Sequence, residues 1–359
     1  IKKHAVDGYL YGRVGEDHFV VIADEATFNE EHLYECRETL QNVLSDSVYN
    51  VRVCFGIYRT DNMNESLSFM CDKASFAVAS IKDDTHSFIA YYDDTMLEAA
   101  IKYKTIVDEF DDAIKAGEFK MYLQPQISAK TRRLTGAEAL VRRIKPDGTI
   151  ISPIDFIPVY EKSGLISRLD RYIWEQAAAK LGEWKKAGIN MSISVNISPK
   201  DFYYIDIFNT FAGLIKKYDI EPSNLKIEIT ETTIMSDVPN LMGELEELRK
   251  AGFTLEMDDF GSGYSSLNTL KDINVDVLKV DMGFIKETKN VKKSRIILAS
   301  VIKMAKELNL LIITEGVETE EQVDNLTKLG CDVFQGYYFS KAIDVNEFEK
   351  RYLYRKKAG

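Results

Sequence analysis

Residues 225–257 read LKIEITETTIMSDVPNLMGELEELRKAGFTLEM, and this stretch decides the fold class. An apolar strand at 225–230 is followed by an amphipathic helix at 238–250 and by a second apolar strand at 253–257. A strand, a helix and a strand in this order are typical of a parallel β-α-β unit.

The same alternation extends over the C-terminal two thirds of the chain. Apolar strands are predicted at 119–127, 136–144, 191–197, 225–230, 253–257, 275–280, 310–314 and 331–338. Helices are predicted at 167–187, 203–217, 238–250, 293–309 and 319–329. This pattern predicts an α/β protein whose C-terminal part is a (β/α)8 TIM-like barrel. An open doubly wound sheet is the second candidate, but no glycine-rich phosphate-binding fingerprint supports it.

The start of the barrel is predicted to be irregular. The connection between its first two strands, SAKTRRLTG at 128–136, is too short to hold a helix. Parallel neighbours need a long crossover, so the first two strands are expected to form an antiparallel hairpin.

The first hundred residues have a different pattern. A hairpin is predicted at 9–23, helices at 29–44 and 65–81, and a strand at 51–57. This region is expected to be a smaller α+β remnant that lacks its first half. One helix at 97–117, ending at Gly117, is expected to connect it to the barrel. The expected domains are 1–100, a linker helix at 101–118, and the barrel at 119–359.

Charge separates the same two parts and excludes some partners. The 359 residues carry a formal net charge of −11, with 8 Lys and Arg against 18 Asp and Glu in residues 1–100, and 38 against 39 in residues 101–359. Neither part is basic, so a DNA-binding function is not expected. No run of about 18 uncharged apolar residues predicts a membrane span.

The termini and the cysteines indicate a location. The four cysteines form no CxxC pair and no metal-ligand spacing with the histidines, which favours reduced thiols in a cytoplasmic protein. The chain begins at Ile1 without a signal-peptide pattern. We therefore expect further residues upstream in the natural protein, including a sensor domain or a membrane anchor.

Polar side chains recur near the carboxyl ends of the predicted strands, where barrel enzymes carry their chemistry. From the second strand to the eighth these are Glu138 and Arg142, Asn196, Glu228 and Glu231, Asp258 and Asp259, Lys279 and Asp281, Glu315 and Glu318, and Gln335. A single acidic residue at such a position is commonly a helix N-cap or a turn residue, and Asp258–Asp259 before Gly-Ser-Gly fits a turn. Repetition over consecutive strands favours a shared site.

The chemistry of this set favours a divalent metal. Crowded carboxylates repel one another, and one lysine cannot balance four or more of them. Oxygen ligands without His or Cys favour Mg²⁺ or Mn²⁺ over Zn²⁺. The adjacent Asp258 and Asp259 can serve one ion each or bridge two ions. Two ions about 3.5–4 Å apart are a phosphodiesterase arrangement. Arg142 and Gln124, near the barrel mouth, are suited to hold a phosphate and a base edge of a substrate.

Seven motifs in order resemble the EAL phosphodiesterases. They are GAEALVR, SVNISPKDF, IEITE, DDFGSGYSSL, LKVD, EGVET and GCDVFQGYYFS, and the resemblance covers about residues 104–355. Enzymes of this family hydrolyse cyclic di-GMP to linear pGpG with two Mg²⁺ or Mn²⁺ ions. The resemblance implies the same activity, substrate and ions here, together with a homodimer formed through the EAL domain.

The resemblance also implies roles for individual residues. The metal ligands would be Glu138, Asn196, Glu228, Asp258 and Asp259. Lys279 would hold the catalytic water, Glu315 would be the general base or a water-linked carboxylate, and Glu231 would fix the loop that carries the two aspartates. Gln124 and Arg142 would contact the substrate, with Gln335, Glu318 and Asp281 in support. One departure is Ala342, which stands where the family usually has proline, outside the metal ligands.

The N-terminal part resembles the second half of a GGDEF diguanylate cyclase domain. The matching stretches are GEDHF at 15–19 with Arg13 before it, CFGI at 54–57 and CDKASFAVAS at 71–80. Glu16 replaces a glycine and His18 replaces a metal-binding acid. No cyclase activity is therefore expected, and a structural or regulatory remnant is.

Two alternative functions of the barrel are less well supported by the sequence. A catalytically silent EAL module that binds the dinucleotide or a protein partner would be favoured by a lost metal ligand, and none is lost. An unrelated barrel enzyme, such as a metal-dependent aldolase, would not carry these motifs in this order.

Overall fold

The computed structural model describes residues 9–15, 17–44, 52–60, 62, 64–82, 84, 86–236, 238, 240–261, 270–271, 273–282 and 291–354. The chain divides into two compact units, Ile1–Ile106 and Val107–Gly359.

The first unit holds the predicted hairpin and helices. Its elements are β1 (Leu10–Arg13), β2 (Phe19–Ile22), α1 (Glu31–Leu44), β3 (Phe55–Ile57), α2 (Leu67–Ser80) and β4 (Ile89–Tyr91). β1 and β2 are antiparallel, and β3 and β4 are parallel. β4 was not predicted, and the strand predicted at 51–57 is shortened to β3. A Cβ atom on Gly56 would lie 2.0 Å from the carbonyl oxygen of Ala74, so α2 packs directly on the backbone of β3.

The prediction of one continuous helix at 97–117 is wrong. Two helices occupy this region, α3 (Asp94–Asp108) and α4 (Phe110–Ala116), with a break at Glu109. At the break, the Glu109 carboxylate forms ion pairs at 2.6 Å with Arg143 and at 3.3 Å with Lys145. As predicted, α4 ends at Gly117, whose φ of 65° suits glycine.

The second unit is a closed barrel of eight strands within the described residues. They are β5 (Phe119–Ser128), β6 (Leu134–Ile144), β8 (Ile193–Ile197), β9 (Leu225–Thr230), β10 (Leu255–Asp258), β11 (Val277–Asp281), β12 (Leu311–Glu315) and β13 (Val333–Phe334). Two short strands flank them, β7 (Ile150–Ile151) on β6 and β14 (Ile343–Asp344) on β5. β5 runs antiparallel to both β6 and β13, and the other neighbours are parallel. The TIM-like class and the antiparallel start are therefore confirmed.

Helices lie between most of the strands. They are α5 (Pro153–Ser163), α6 (Ile166–Lys186), α7 (Asp201–Tyr204), α8 (Ile207–Tyr218), α9 (Glu231–Ile234), α10 (Leu241–Lys250), α11 (Val291–Glu307), α12 (Glu320–Leu329) and α13 (Val345–Phe348). α5 was missed, and the helix predicted at 203–217 is divided into α7 and α8. The division occurs because Asp206 caps α8 and accepts a hydrogen bond from the Asn209 amide at 3.0 Å.

The eighth predicted strand, 331–338, is shortened to β13. The chain turns at Gly336, where a Cβ atom would lie 2.2 Å from the carbonyl oxygen of Val317. This close approach brings the segment after β13 against the end of β12. Among the described residues, no helix combines the length and the apolar composition needed to cross a membrane.

Candidate active site

The carboxyl ends of the barrel strands bring most of the predicted polar residues together. Glu138 lies on β6, Asn196 on β8, Glu228 on β9, Asp258 on β10, Lys279 on β11, Glu315 on β12 and Gln335 just after β13. In a barrel these ends share one face, so residues far apart in sequence meet.

Lys279 is the centre of this cluster. Its side chain is fully buried. Its Nζ lies 2.8 Å from Glu315, 2.9 Å from Glu228, 3.3 Å from Asp258 and 3.5 Å from Glu138. Burial alone would lower the pKa of Lys279, but these four carboxylates raise it well above its usual value. The lysine is therefore a permanent cation at the mouth of the barrel.

Two carboxyl groups of the cluster are shifted toward the neutral form. Burial first, and then the Glu138 charge, raise the pKa of Glu228 well above its usual value. Burial raises the pKa of Glu315 to about 8, although Lys279 opposes this shift. A further cation near these groups would restore their ionised forms.

An amide network holds Glu138. Asn196 Nδ2 donates to Glu138 Oε1 at 3.3 Å, and Gln335 Nε2 donates to Glu138 Oε2. Gln335 Nε2 also lies 3.3 Å from Gln124 Oε1. Gln126, which sequence reasoning missed, donates to Gln335 Oε1 at 3.2 Å. Both oxygens of this carboxylate are thus fixed in direction.

Asp258 and Asp259 form the turn that follows β10. Asp259 has a φ of 56°, and its amide donates to Asp258 Oδ1 at 2.8 Å. Asp258 is directed to Lys279, whereas Asp259 is exposed. The turn interpretation therefore applies to this pair, and Asp258 also joins the Lys279 cluster, whereas a metal role for Asp259 stays a prediction.

Glu231 lies outside the Lys279 cluster and supports the turn. It is the first residue of α9 and is completely buried, so it is not a solvated acid at the start of a helix. Glu231 Oε2 accepts a hydrogen bond from the Gly261 amide at 3.4 Å. The sequence also predicts a hydrogen bond from Ser262 to Glu231, but Ser262 lies outside the described residues.

Asp281 and Glu318 are also outside the cluster. Asp281 is exposed at the end of β11, beside Gly316. Glu318 is exposed, and its amide donates to Gln322 Oε1 at 2.7 Å at the start of α12. Both residues border the mouth of the barrel without reaching Lys279.

The two expected substrate contacts line a cavity of about 320 Å³. Its lining residues are Tyr122, Gln124, Leu140, Arg142, Ile150, Tyr337, Lys341 and Ala342. Gln124 Nε2 donates to the carbonyl oxygen of Ser340 at 3.3 Å. The cavity combines two cations with aromatic rings, which suits a ligand that carries phosphates and flat bases.

Three further residues near the site were missed. Trp174 Nε1 donates to the carbonyl oxygen of Asn196 at 2.9 Å and so holds the end of β8. Glu256 is completely buried on β10, and Lys226 Nζ lies 2.9 Å from it. The site residues predicted from the sequence lie near the ends of the strands. Glu256 lies two residues before Asp258, and Lys226 lies two residues before Glu228. The period of two along a strand would have placed them on the same face.

The donor set fits hard divalent cations. The cluster consists of carboxylate and amide oxygens, and the buried Glu228 Oε1 is not held by a lysine or an amide among the described residues. Within the same residues, no group of three or more His, Cys, Asp or Glu side chains is already arranged around a metal position.

Comparisons with known proteins identify the second unit. The model of the family described as "EAL domain" matches residues 107–342. Signaling protein YkoW of Bacillus subtilis is 31% identical over 350 residues, which are 96% of this chain and 44% of that protein. Probable cyclic di-GMP phosphodiesterase PdeG of Escherichia coli is 36% identical over 252 residues, 68% of this chain and 48% of that protein. This chain therefore spans about half the length of these relatives.

A solved structure is similar as well. The PaMucR phosphodiesterase in complex with c-di-GMP has a TM-score of 0.64 and 32% identity, and the likeness covers 68% of this chain and 99% of that chain.

Proposed function

The chain belongs to the EAL domain family, and on this premise we propose that it hydrolyses cyclic di-GMP to linear pGpG with two Mg²⁺ or Mn²⁺ ions. The Lys279 cluster carries this proposal, because Glu138, Glu228 and Asp258 surround Lys279 and Asn196 contacts Glu138. Relatives named as cyclic di-GMP phosphodiesterases and a neighbour with c-di-GMP bound support the substrate.

The metal ligands are Glu138, Asn196, Glu228, Asp258 and Asp259. When bound, two divalent ions supply Lewis-acid activation of water and neutralise phosphate charge. The formal charges agree with this number. Glu138, Glu228, Asp258, Asp259 and Glu315 oppose one lysine, which leaves four negative charges for two dications.

The protein side chains supply orientation and proton transfer. Lys279 is placed to donate a hydrogen bond to the attacking water. Glu315 lies 2.8 Å from Lys279 and is placed to accept a proton from that water. Arg142 is suited to hold a phosphate, and Gln124 to hold a base edge, at the neighbouring cavity. Water adds to one phosphorus atom and gives a proton to Glu315, one P–O3′ bond breaks, the released O3′ oxygen takes up a proton from solvent, and the ring opens to linear pGpG.

The remaining expectations are part of the same proposal. The first unit is a GGDEF-type remnant without cyclase activity, whose Arg13–Phe19 motif lies on the β1–β2 hairpin, with Glu16 outside the described residues. The protein acts in the cytoplasm as a homodimer formed through the barrel.

The test is incubation with cyclic di-GMP and Mg²⁺, with the products separated by chromatography. We expect pGpG to form, and EDTA to stop its formation. Tight binding of cyclic di-GMP by the Mg²⁺-loaded protein without any product would contradict hydrolysis and favour a silent receptor.

A further inference from the structure

A second buried pair of opposite charges lies against the Lys279 cluster. Glu256 on β10 stands in register with Glu228 on β9, and its side chain is completely buried. Lys226, two residues before Glu228, reaches Glu256 Oε1 with its Nζ at 2.9 Å. Residues two apart on a strand share a face, so both side chains of this pair belong to the barrel interior.

In Glu228 and in Glu256, one carboxylate oxygen accepts a hydrogen bond from a lysine and the other does not. Glu228 Oε2 accepts from Lys279 at 2.9 Å, and Glu256 Oε1 accepts from Lys226 at 2.9 Å. The other oxygen of each carboxylate is buried and is not held by a lysine or an amide among the described residues. Glu228 and Glu256 also share a side-chain hydrogen bond. Its proton would leave when a divalent cation binds, so each glutamate is held by one lysine and keeps one oxygen for a cation.

The second pair leaves the charge of the site unchanged. Glu256 adds one formal negative charge and Lys226 adds one positive charge. The four negative charges that match two divalent ions are retained when both residues are present or when both are replaced by neutral ones. A buried ion with its partner removed costs far more than the pair does.

We propose that Lys226 and Glu256 are positioning residues of the metal site, which keep the second oxygen of Glu228 for a divalent cation. Glu256 binds the ammonium group of Lys226. Without Glu256, this group would turn to Glu228, the nearest carboxylate on its own strand. An ammonium on Glu228 Oε1 would compete with the metal for that oxygen. This inference rests on the proposed function, because it assigns Glu228 to a metal.

The test is the affinity for Mn²⁺ alone, measured by calorimetry without substrate. We expect Glu256→Gln to weaken Mn²⁺ binding at least tenfold, since it leaves the Lys226 ammonium beside Glu228. Lys226→Met should bind Mn²⁺ within threefold of the parent protein, with a lower thermal midpoint from the unpaired Glu256. The double variant, which has neither charge, should also bind within threefold of the parent.

The rescue by the second substitution separates positioning from a structural role. Lys306→Met is the matched control, because its pair with Asp332 at 2.5 Å lies on the outside of the barrel. A double variant as weak as Glu256→Gln, or Lys226→Met losing tenfold in affinity, would overturn the proposal. Should Glu256→Gln fail to fold, Lys226→Met and the double variant still decide the matter by the same limits. A parent protein that binds no Mn²⁺ would instead contradict the proposed function, and this inference with it.

Discussion

Asp258 faces a lysine that it shares with three other carboxylates, so its charge matters more to a metal than to Lys279. We expect Asp258→Asn to lower the turnover of cyclic di-GMP at least a hundredfold, because an amide is a far weaker ligand for Mg²⁺. The thermal midpoint without metal should change by no more than about 2 °C, since Lys279 keeps three partners. Asp324→Asn, on the exposed face of α12, is the control and should keep the parent rate.

Glu231 acts on the site through the backbone. We expect Glu231→Ala to lower turnover at least tenfold, about 1.4 kcal/mol in the barrier, and to raise the Mg²⁺ concentration needed for half-maximal rate. The reason is the lost acceptor for the Gly261 amide, next to the turn that carries Asp258 and Asp259. Glu231→Gln keeps an acceptor oxygen and should retain most of the rate. A parent-like Mg²⁺ midpoint in Glu231→Ala would refute the pinning of this turn.

Residues in recognisable motifs could be predicted from the sequence, whereas the Lys226–Glu256 pair could not. Glu138, Glu228, Asp258 and Lys279 are polar residues in or directly after predicted strands and also belong to the motifs that resemble the EAL family. Glu256 and Lys226 are likewise polar residues in predicted strands, but they precede the DDFGSGYSSL and IEITE motifs. Their pairing follows only from the register between β9 and β10.

Elements followed the same logic. The SAKTRRLTG connection fixed the antiparallel start of the barrel, because nine residues cannot hold a crossover helix. The break at Glu109 was not predictable, since the apolar period continues through the buried Phe110 and Ala113. What the structure adds at the break is the ion pair from Glu109 to Arg143, 34 residues later.

A buried acid pair between α6 and α7 gives a dependence on pH. Burial raises the pKa of Asp201 to about 6, although Ser167 and the Ser198 amide oppose the shift, and burial together with Asp201 raises the pKa of Asp170. A carboxyl whose pKa is raised on folding stabilises the fold below its unfolded pKa, near 4. This contribution is lost as the pH rises through about 6.

The free energy of unfolding should fall between pH 4.5 and pH 7.5, and we expect Asp201→Asn to reduce this fall by an amount on the order of 1–3 kcal/mol. The readout is a smaller drop in the thermal midpoint over the same pH range. Asp206→Asn is the control, since hydrogen bonds from Asn209 lower the pKa of Asp206 and it stays ionised over this range. An unchanged pH profile in Asp201→Asn would show that this acid is not the source.

At the scale of the molecule, the barrel collects more negative charge at its mouth than Lys279 neutralises, so cations should stabilise the fold. Mg²⁺ at about 100 times its dissociation constant adds about 2.7 kcal/mol, which corresponds to several degrees in the thermal midpoint. EDTA should remove both this stabilisation and the activity, and Mg²⁺ or Mn²⁺ should restore both. Ca²⁺ should stabilise but support turnover poorly, because its longer bonds misplace the reacting oxygens. Full activity in EDTA would contradict a metal site.

The ion pair between Glu109 and Arg143 has a consequence for how the barrel can be inherited or transplanted. Arg143 is almost completely buried and is held at 2.6 Å by Glu109, before α4, and at 2.9 Å by Glu118, after it. A gene fusion that began the barrel at its first strand would leave this guanidinium without either partner, at a cost of about 3–5 kcal/mol. Any recombination that moves this barrel to a new host protein must therefore carry the short helix in front of it.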